Sequence, residues 1–273
     1  MALALGTGAF GAGAMAQDVG LMLRQCSNPD TSPAEALRIC DLALDYGADE
    51  LDREAQARVA FNAGVAALDL DLLGRAAERL DRAVALDPDM AAARVSRAQV
   101  RERRGDVDGA LADYEAAIEA DPQAAAPRLA QGRLLLATGE AEAALESLDV
   151  AVARAPDWAA NYRARGAAHY ALGRYAEAER DFSTVIARAP GDAEAWLNRA
   201  QARAATGSAT AGRDFDRAVA LAPEWATAHY VRGLWLEAAG RSEEAGAAFL
   251  RAHELGYRSA DLEEIVRGLS GGG

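Results

Sequence analysis

Two residue types recur along this chain at a nearly constant interval, and that interval limits the fold more than any other feature. Prolines and turn glycines each repeat at spacings of 34, 34, 34 and 33 residues. The prolines are Pro88, Pro122, Pro156, Pro190 and Pro223, and the glycines are Gly105, Gly139, Gly173, Gly207 and Gly240. Glycine adopts the left-handed backbone that ends a helix, so each glycine predicts a turn between two helices. The chain is therefore predicted to be a stack of helical hairpins that bury their apolar faces against one another.

A third register follows the same period in the second helix of each unit. The small residues Ala76, Ala110, Ala144, Ala178, Ala211 and Ala245 are each followed four positions later by Leu80, Tyr114, Leu148, Phe182, Phe215 and Phe249. A unit of helix, turn and helix with a small residue, a large residue and a closing proline resembles the tetratricopeptide repeat family. The resemblance covers about residues 57 to 257. It implies an all-α fold, a right-handed α-solenoid of stacked antiparallel helix hairpins.

The registers divide the chain into six predicted repeats. These are 57–90, 91–124, 125–158, 159–192, 193–225 and 226–258. The residue missing from the fifth repeat is predicted to lie between Gly207 and Ala211, in the turn between its helices. Asp71 stands where the other repeats have a turn glycine, so an irregular turn is predicted there. Gly166 and its equivalents are predicted to mark a close approach between the first helices of adjacent hairpins.

Residues 17–56 are interpreted as a degenerate first hairpin joined by a disulfide. Cys26 and Cys40 are the only two cysteines, and an even, closely spaced pair is typical of a disulfide in an exported protein. The alternative is a pair of buried thiols in a cytosolic protein. Ser32 followed by Pro33 predicts the start of a helix inside the disulfide loop.

Both ends of the chain carry predicted segments outside the repeats. Residues 1–16 hold no charge and end in a small-residue pattern, so they are interpreted as a truncated secretory signal. The alternative is a flexible tail rich in alanine and glycine. Ser259 is predicted to start a capping helix over 259–270, and residues 271–273 are predicted to be a disordered tail.

The composition excludes two classes of partner and indicates the type of organism that the protein comes from. The formal net charge of -13 argues against nucleic acid and anionic membranes as partners. Beyond the first sixteen residues, no uncharged apolar run is long enough to span a bilayer. All 29 basic residues are arginine, which we interpret as GC-rich codon usage. With the signal interpretation, this predicts export to the periplasm of a GC-rich Gram-negative bacterium.

The sequence predicts no enzyme. Its three histidines, His169, His229 and His253, have no cysteine or carboxylate cluster at the spacing that metal ligands require. The nucleophile elbow, the phosphate loop, the dinucleotide fingerprint and the zinc-protease motif are all missing from the sequence. We therefore predict no catalytic residue, no metal site and no cofactor. Carboxylates three or four residues from arginines are interpreted as solvated ion pairs.

The resemblance implies that the first helices line a concave groove that binds an extended peptide or a partner helix. Projected onto this sequence, the groove residues are Phe61, Val65, Leu68, Val95, Gln99, Leu129, Arg133, Arg163, Tyr170, Leu197, Gln201, Tyr230 and Leu234. This lining is apolar with a basic middle. Arg133 and Arg163 are assigned to orient a carboxylate, because guanidinium binds carboxylate bidentately. The alternative is that both arginines pair internally with neighbouring helices.

These expectations together predict a non-catalytic scaffold or adaptor of the bacterial cell envelope. Its partner is predicted to be a protein or peptide with an acidic segment or a C-terminal carboxylate. A periplasmic chaperone or carrier for exported or outer-membrane polypeptides is the main alternative. A regulatory subunit of an envelope enzyme is a third hypothesis, less favoured because no catalytic constellation accompanies it.

Overall fold

The computed structural model describes residues 20–46 and 51–271, and every regular element within these ranges is a helix. The all-α prediction is therefore confirmed for the described chain. It separates into two compact units that divide between Leu134 and Leu135. None of the described helices combines the length and the apolar character that a membrane crossing requires. The predicted signal at residues 1–16 lies outside the described residues, as do Gly272 and Gly273.

The described residues form fifteen helices, and each predicted repeat holds one pair of them. Helix α1 covers residues 20–26. The others are α2 (Pro33–Tyr46), α3 (Arg53–Asp69), α4 (Leu73–Leu86), α5 (Ala91–Arg103), α6 (Val107–Ala120), α7 (Ala125–Ala137), α8 (Ala141–Arg154), α9 (Ala159–Ala171), α10 (Tyr175–Arg188), α11 (Ala193–Ala205), α12 (Ala211–Leu221), α13 (Ala226–Ala238), α14 (Ser242–Glu254) and α15 (Ala260–Gly271). Consecutive helices pack together from α2 to α6 in the first unit and from α8 to α15 in the second.

The first repeat begins earlier than predicted. Helix α3 starts at Arg53 and not at residue 57, which makes it 17 residues long where α5 has 13. The cause is Asp52, whose side chain accepts a hydrogen bond from the backbone N–H of Ala55 at 2.7 Å. An aspartate at this position caps a helix, so the helix starts at the cap and not at the repeat boundary.

The fifth repeat loses the first turn of its second helix. Helix α12 has 11 residues where α10 has 14, and it begins at Ala211, which is equivalent to the fourth residue of α10. Residues 209–210 form a turn in place of the missing helical residues. The deletion is therefore absorbed at the junction of turn and helix, between the two positions named from the sequence.

The first inter-helix turn is regular, contrary to the sequence-based expectation. Asp71 has a φ of 57°, close to the 71° of Gly173 and the 73° of Gly207 in the equivalent turns. Aspartate enters the left-handed region more readily than most residues because its short polar side chain bonds locally. One turn conformation therefore serves a repeat with glycine and a repeat with aspartate.

The repeated spacing of small residues in the first helices reflects packing inside one hairpin. A Cβ placed on Gly166 would lie 2.9 Å from Cε1 of Phe182, and one on Gly233 would lie 2.6 Å from Cε1 of Phe249. Both contacts join the two helices of the same repeat. The prediction that these glycines separate first helices of adjacent hairpins is therefore wrong, because the ring of the second helix fills the space above the glycine.

A disulfide between Cys26 and Cys40 joins α1 to α2, with the two Cα atoms 5.2 Å apart. Helix α2 starts at Pro33, and Ser32 accepts a hydrogen bond from the N–H of Glu35 as an N-cap. Both cysteines are buried in a core that continues into the first repeat through Val59 and neighbouring residues. The stapled hairpin therefore covers the outer face that α3 would otherwise expose.

The second unit ends in a capping helix. Ser259 accepts a hydrogen bond from the N–H of Leu262 at 3.2 Å, and Leu262 is fully buried against α14. Helix α15 continues to Gly271, the first residue of the predicted tail. The stacked rings of Tyr257 and Tyr230 cover the approach to this helix, with centroids 4.4 Å apart.

Arginines of the first helices tie neighbouring hairpins together through buried aspartates. In the first unit, Arg97 of α5 donates to Asp113 of α6 at 2.7 Å and to Asp81 of α4 at 3.0 Å. Asp113 is buried, whereas Asp81 is exposed. A buried carboxylate requires such partners because desolvation penalises an unpaired charge. These contacts bridge three helices, whereas the predicted solvated pairs within one helix occur at Glu177 and Arg180 and at Arg251 and Glu254.

The same arrangement recurs in the second unit. Arg165 of α9 donates to buried Asp181 of α10 at 2.8 Å and to exposed Asp149 of α8 at 3.0 Å. Arg199 of α11 donates to buried Asp214 of α12 at 2.8 Å. The arginine and aspartate lie 15 or 16 residues apart, which places one on each helix of a hairpin.

Candidate functional site

The predicted groove residues differ in their exposure to solvent. Leu68 and Leu197 are only 6% and 4% exposed and pack in the cores of their units. Both side chains are therefore too deeply buried to line an open groove. The exposed members of the set are Gln99, Arg133, Tyr170 and Leu234, and the half-buried ones are Phe61, Val65, Val95, Leu129, Arg163, Gln201 and Tyr230.

Arg163 pairs internally. Its guanidinium contacts the carboxylate of Asp192, the N-cap residue of α11, and lies 3.9 Å from Glu194. Asp192 also accepts a hydrogen bond from the N–H of Ala195 at 3.1 Å. The alternative stated for this arginine in the sequence analysis therefore describes what the structure contains. A partner carboxylate at Arg163 would have to compete with two acidic residues of this chain.

Arg133 has a different environment in the first unit. Its guanidinium is exposed and makes no hydrogen bond or ion pair with another residue in the described part of the chain. It lies close enough to Tyr114 to oppose the rise in the pKa of that phenol. A free guanidinium above the first-helix face is a donor to carboxylate or phosphate oxygens.

Beside Arg133 lies a buried tyrosine that the sequence analysis treats as packing alone. Tyr114 is 1% exposed, and its hydroxyl donates to Oε1 of Glu102 at 2.5 Å. Burial, followed by the hydrogen bond to Glu102, raises the pKa of Tyr114 well above its ordinary value. The first unit therefore has a free arginine near a buried hydrogen bond between Tyr114 and Glu102.

In the second unit, five uncharged residues line a pocket of about 100 Å³ on the first-helix face. They are Ala167, Tyr170, Phe182, Asn198 and Gln201. The buried ring of Phe182 contributes an apolar wall, and Tyr170 is 36% exposed at the rim. The side-chain amides of Asn198 and Gln201 make no hydrogen bond to another described residue. The pocket thus combines an apolar surface with two unused amide groups.

Tyr170 is held in place by its own hairpin. Its ring meets that of Tyr175 edge to face, with centroids 5.3 Å apart. Burial raises the pKa of Tyr170 above its ordinary value. A preoriented aromatic ring loses little conformational entropy when a ligand packs on it.

Other predicted groove residues differ in their surroundings within each unit. Tyr230 stacks on Tyr257, so part of its ring is already buried by the segment before α15. Leu234 is 41% exposed on the same helix. In the first unit, Phe61 and Val65 line a pocket together with residues of the disulfide loop.

The three histidines do not converge. Nε2 of His229 lies 3.0 Å from the carbonyl oxygen of Pro223, and Nε2 of His253 lies 3.5 Å from Glu263. Burial lowers the pKa of His169, whose Nδ1 is enclosed. Within residues 20–46 and 51–271, no three histidine, cysteine, aspartate or glutamate side chains form a cluster suited to a metal ion.

Five residues of these two sites are absent from the predicted groove: Glu102, Tyr114, Ala167, Phe182 and Asn198. The sequence carries a signal for four of them, since Gln99, Glu102, Tyr114 and Arg133 lie 68 residues, or two repeats, before Ala167, Tyr170, Phe182 and Gln201. Comparing repeats position by position would therefore have placed both sets at equivalent points of the hairpin. Asn198 carries no such signal in the first unit.

Comparison with known proteins supports the repeat assignment. Residues 61–125 and 163–215 match one family model described as tetratricopeptide repeat, and residues 101–167 match a second with the same description. Together the matches span residues 61–215, which is more than half of the 273-residue chain. Among curated proteins, the search finds no significant match.

Solved structures with the same fold cover most of the chain. A tetratricopeptide repeat protein from Parabacteroides merdae is 18% identical, with a TM-score of 0.67 over 92% of this chain and 98% of that one. YrrB, described as a TPR protein with an unusual peptide-binding site, is 22% identical, with a TM-score of 0.59 over 68% and 95%. MamA is 24% identical, with a TM-score of 0.54 over 58% and 93%. At these identities the likeness establishes the fold.

Proposed function

Because the chain belongs to the tetratricopeptide repeat family, we propose that it is a non-catalytic interaction scaffold that binds an extended partner segment on its first-helix faces. The family supports protein binding as the general role. YrrB, which shares the fold, is described as having a peptide-binding site. The site on this chain is inferred from its own residues.

One observation carries the proposal: the neutral pocket beside Tyr170 in the second unit. Its volume of about 100 Å³ accommodates an apolar side chain but not a folded element. Peptide backbone offers one donor and one acceptor per residue, and the amides of Asn198 and Gln201 can pair with both. The pocket therefore fits a segment that inserts an uncharged side chain and leaves its backbone beside the two amides.

The predicted acidic partner segment has support only from the first unit. Arg133 is free to bind a carboxylate, whereas Arg163 is engaged by Asp192 and Glu194. We therefore assign recognition of an acidic group to Arg133. An acidic group near Arg163 would meet like charge from its present partners.

Export to the periplasm belongs to the same proposal. Its support is the disulfide, since such bonds persist in oxidising compartments and are rare in the cytosol. N-terminal sequencing of the mature protein from its native host tests this part. Cleavage after residue 16 is expected, and a mature chain that retains Met1 contradicts it.

The binding proposal is tested by site-specific crosslinking in cells. A photoreactive amino acid at Gln201 is expected to capture one dominant partner in stoichiometric amounts. The matched control places the same group at Arg180, an exposed residue on the second helix of the fourth repeat. Equal capture from both positions contradicts the proposed site.

The same experiment separates a scaffold from a chaperone. A single crosslinked band that disappears when Tyr170 is changed to alanine supports the scaffold. A ladder of many unfolded clients supports the chaperone or carrier instead, since such proteins bind apolar segments broadly. Circular dichroism of the Tyr170→Ala variant checks that the repeats remain folded.

A further inference from the structure

A cleft runs along α3 in the first unit, where the disulfide-bonded hairpin packs against that helix. Two adjoining pockets of about 300 and about 310 Å³ form it. Cavities of this size are in the range that binds ligands. Ser27 and Asn62 line both pockets, so the pockets join at these two residues. The cleft belongs to the first unit and is separate from the pocket beside Tyr170.

The disulfide loop builds one wall of the cleft. Cys26, Pro29 and Pro33 line the larger pocket from the loop side, and Phe61 and Val65 line it from α3. Most of these side chains are apolar. Because the bond from Cys26 to Cys40 fixes the loop against the first repeat, the shape of the pocket depends on the disulfide.

Three polar side chains along the cleft lack partners among the described residues. The amide of Asn62 makes no hydrogen bond, and neither Arg24 nor Asp69 forms an ion pair in the described part of the chain. Arg24 lines the smaller pocket and Asp69 lines the larger one. By contrast, Arg58 in the smaller pocket is paired with Glu54 at 2.8 Å. The cleft therefore has a free positive charge in one pocket, a free negative charge in the other and a free amide between them.

The length of the cleft follows from the helix that forms its floor. The lining residues of α3 extend from Ala55 to Asp69, a distance of roughly 21 Å at about 1.5 Å per helical residue. An extended chain advances about 3.3 Å per residue, so a segment of roughly five to six residues spans it.

We propose that this cleft binds an extended peptide segment of about five residues, with apolar side chains between one acidic and one basic residue. The acidic residue pairs with Arg24 and the basic residue with Asp69. The apolar side chains pack on Phe61, Val65 and the loop prolines, and the amide of Asn62 pairs with the peptide backbone. This second site extends the scaffold role and does not depend on the pocket in the second unit.

Three capped synthetic peptides test the charge pattern on the oxidised full-length protein. Their sequences are Glu-Leu-Ser-Leu-Arg, Arg-Leu-Ser-Leu-Arg and Glu-Leu-Ser-Leu-Glu, each acetylated and amidated. Nuclear magnetic resonance titration follows the side-chain amide of Asn62 and the backbone amide of Val65. The mixed-charge peptide is expected to bind about threefold to fivefold more tightly than either of the others, which is the size of one exposed ion pair.

Charge reversal gives the sharper test, because it predicts a new preference and not merely a loss. Arg24→Glu should favour the peptide with two arginines, and Asp69→Arg should favour the peptide with two glutamates, each by about threefold to fivefold. Both residues are exposed, so neither change should unfold the protein. An unchanged preference in both variants overturns the proposal, as does the absence of any shift at Asn62 with all three peptides.

The disulfide supplies an independent test. The double variant Cys26→Ser and Cys40→Ser should lose at least tenfold in affinity for the mixed-charge peptide, because the loop wall is released. Crosslinking from Gln201 should continue in this variant, since that site lies in the second unit. Full peptide affinity without the disulfide contradicts the proposed wall. Absence of a Gln201 crosslink in the wild-type protein would contradict the function proposed above. It would leave the peptide test of the cleft unaffected.

Discussion

Two places at equivalent positions of the repeat have the same backbone structure but different side chains. One has charged side chains and the other has only uncharged ones. In the first unit, Tyr114 donates to Glu102 beside the free Arg133. Two repeats later, Phe182, Tyr170 and Gln201 occupy the corresponding positions and form an uncharged pocket. The hairpins share their buried arginine–aspartate pairs and their helix lengths. The repeat therefore separates residues that build the hairpin from residues that decide what it can bind.

The largest expected effect tests what the two regions share. Asp181→Ala should lower the free energy of unfolding by about 3–5 kcal/mol, because it leaves the partly buried Arg165 without its main partner. Asp149→Ala, which removes the exposed partner of the same arginine, is the control and should cost about 1 kcal/mol or less. Urea unfolding followed by circular dichroism measures both.

The corresponding pair in the first unit should behave alike. Asp113→Ala should cost about as much as Asp181→Ala, and Asp81→Ala as little as Asp149→Ala. A large difference between the two regions in the loss of unfolding free energy would show that the buried pairs do not play the same structural role in both.

The next effect tests what separates the two regions. Tyr114→Phe makes the first site resemble the second and should lower the free energy of unfolding by about 1–3 kcal/mol. It removes a buried hydrogen bond to a charged carboxylate. Tyr170→Phe is the matched control, because its hydroxyl makes no hydrogen bond to another described residue, and it should cost less than about 0.5 kcal/mol. Equal costs would contradict a special role for the Tyr114 hydroxyl.

The pH dependence sharpens the same contrast. The pKa of Tyr114 is higher in the folded protein than in the unfolded chain, chiefly because of burial. Its contribution to stability is therefore complete below about pH 10, the ordinary value for tyrosine, and is lost as the pH rises above it. Between pH 9 and pH 11 the wild-type protein should lose about 1 kcal/mol more than Tyr114→Phe. The free energy of unfolding is measured by urea unfolding at each pH. An equal decrease with pH in both proteins would contradict this expectation.

The smallest expected effect concerns Arg133. Arg133→Gln places the residue of the second site at the first and should change the free energy of unfolding by less than about 0.5 kcal/mol, because the side chain is exposed and unpaired. It should weaken binding of an acidic partner segment without affecting crosslinking from Gln201. A marked loss of stability would indicate that the arginine serves the hairpin itself.

The sequence predicted the repeat because prolines and glycines mark the turns of the backbone and small residues mark close contacts between helices. It did not predict the contacts of Asp113 or Tyr114, because their partners lie 16 and 12 residues away on the other helix of the hairpin. Helical spacing within one helix cannot reveal such pairs. The sequence wrongly predicted an irregular turn at Asp71. The turn is regular because this aspartate adopts the left-handed backbone that glycine adopts in the other repeats.

The groove assignment was limited by a similar ambiguity. Leu68 and Val65 lie one turn apart on α3, yet Leu68 is buried and Val65 borders a pocket. Arg133 and Arg163 are both arginines of first helices, but they stand at different positions of the repeat, and only Arg163 contacts Asp192, the N-cap of α11. Periodicity predicts which helix lines a surface, whereas exposure depends on neighbours that only the structure identifies.

The arginines that bridge hairpins also determine how far a local opening event can spread. Arg165 and Arg199 each bond to both neighbouring helices, so separating one hairpin strains the bonds of the next. Arg232 bonds to the exposed Asp216, and Ala248 stands at the position that the buried Asp113, Asp181 and Asp214 occupy in three other hairpins. In a linear array governed by coupling between neighbours, the hairpin of α13 and α14 is thus a place where fraying can begin without breaking a buried arginine–aspartate pair.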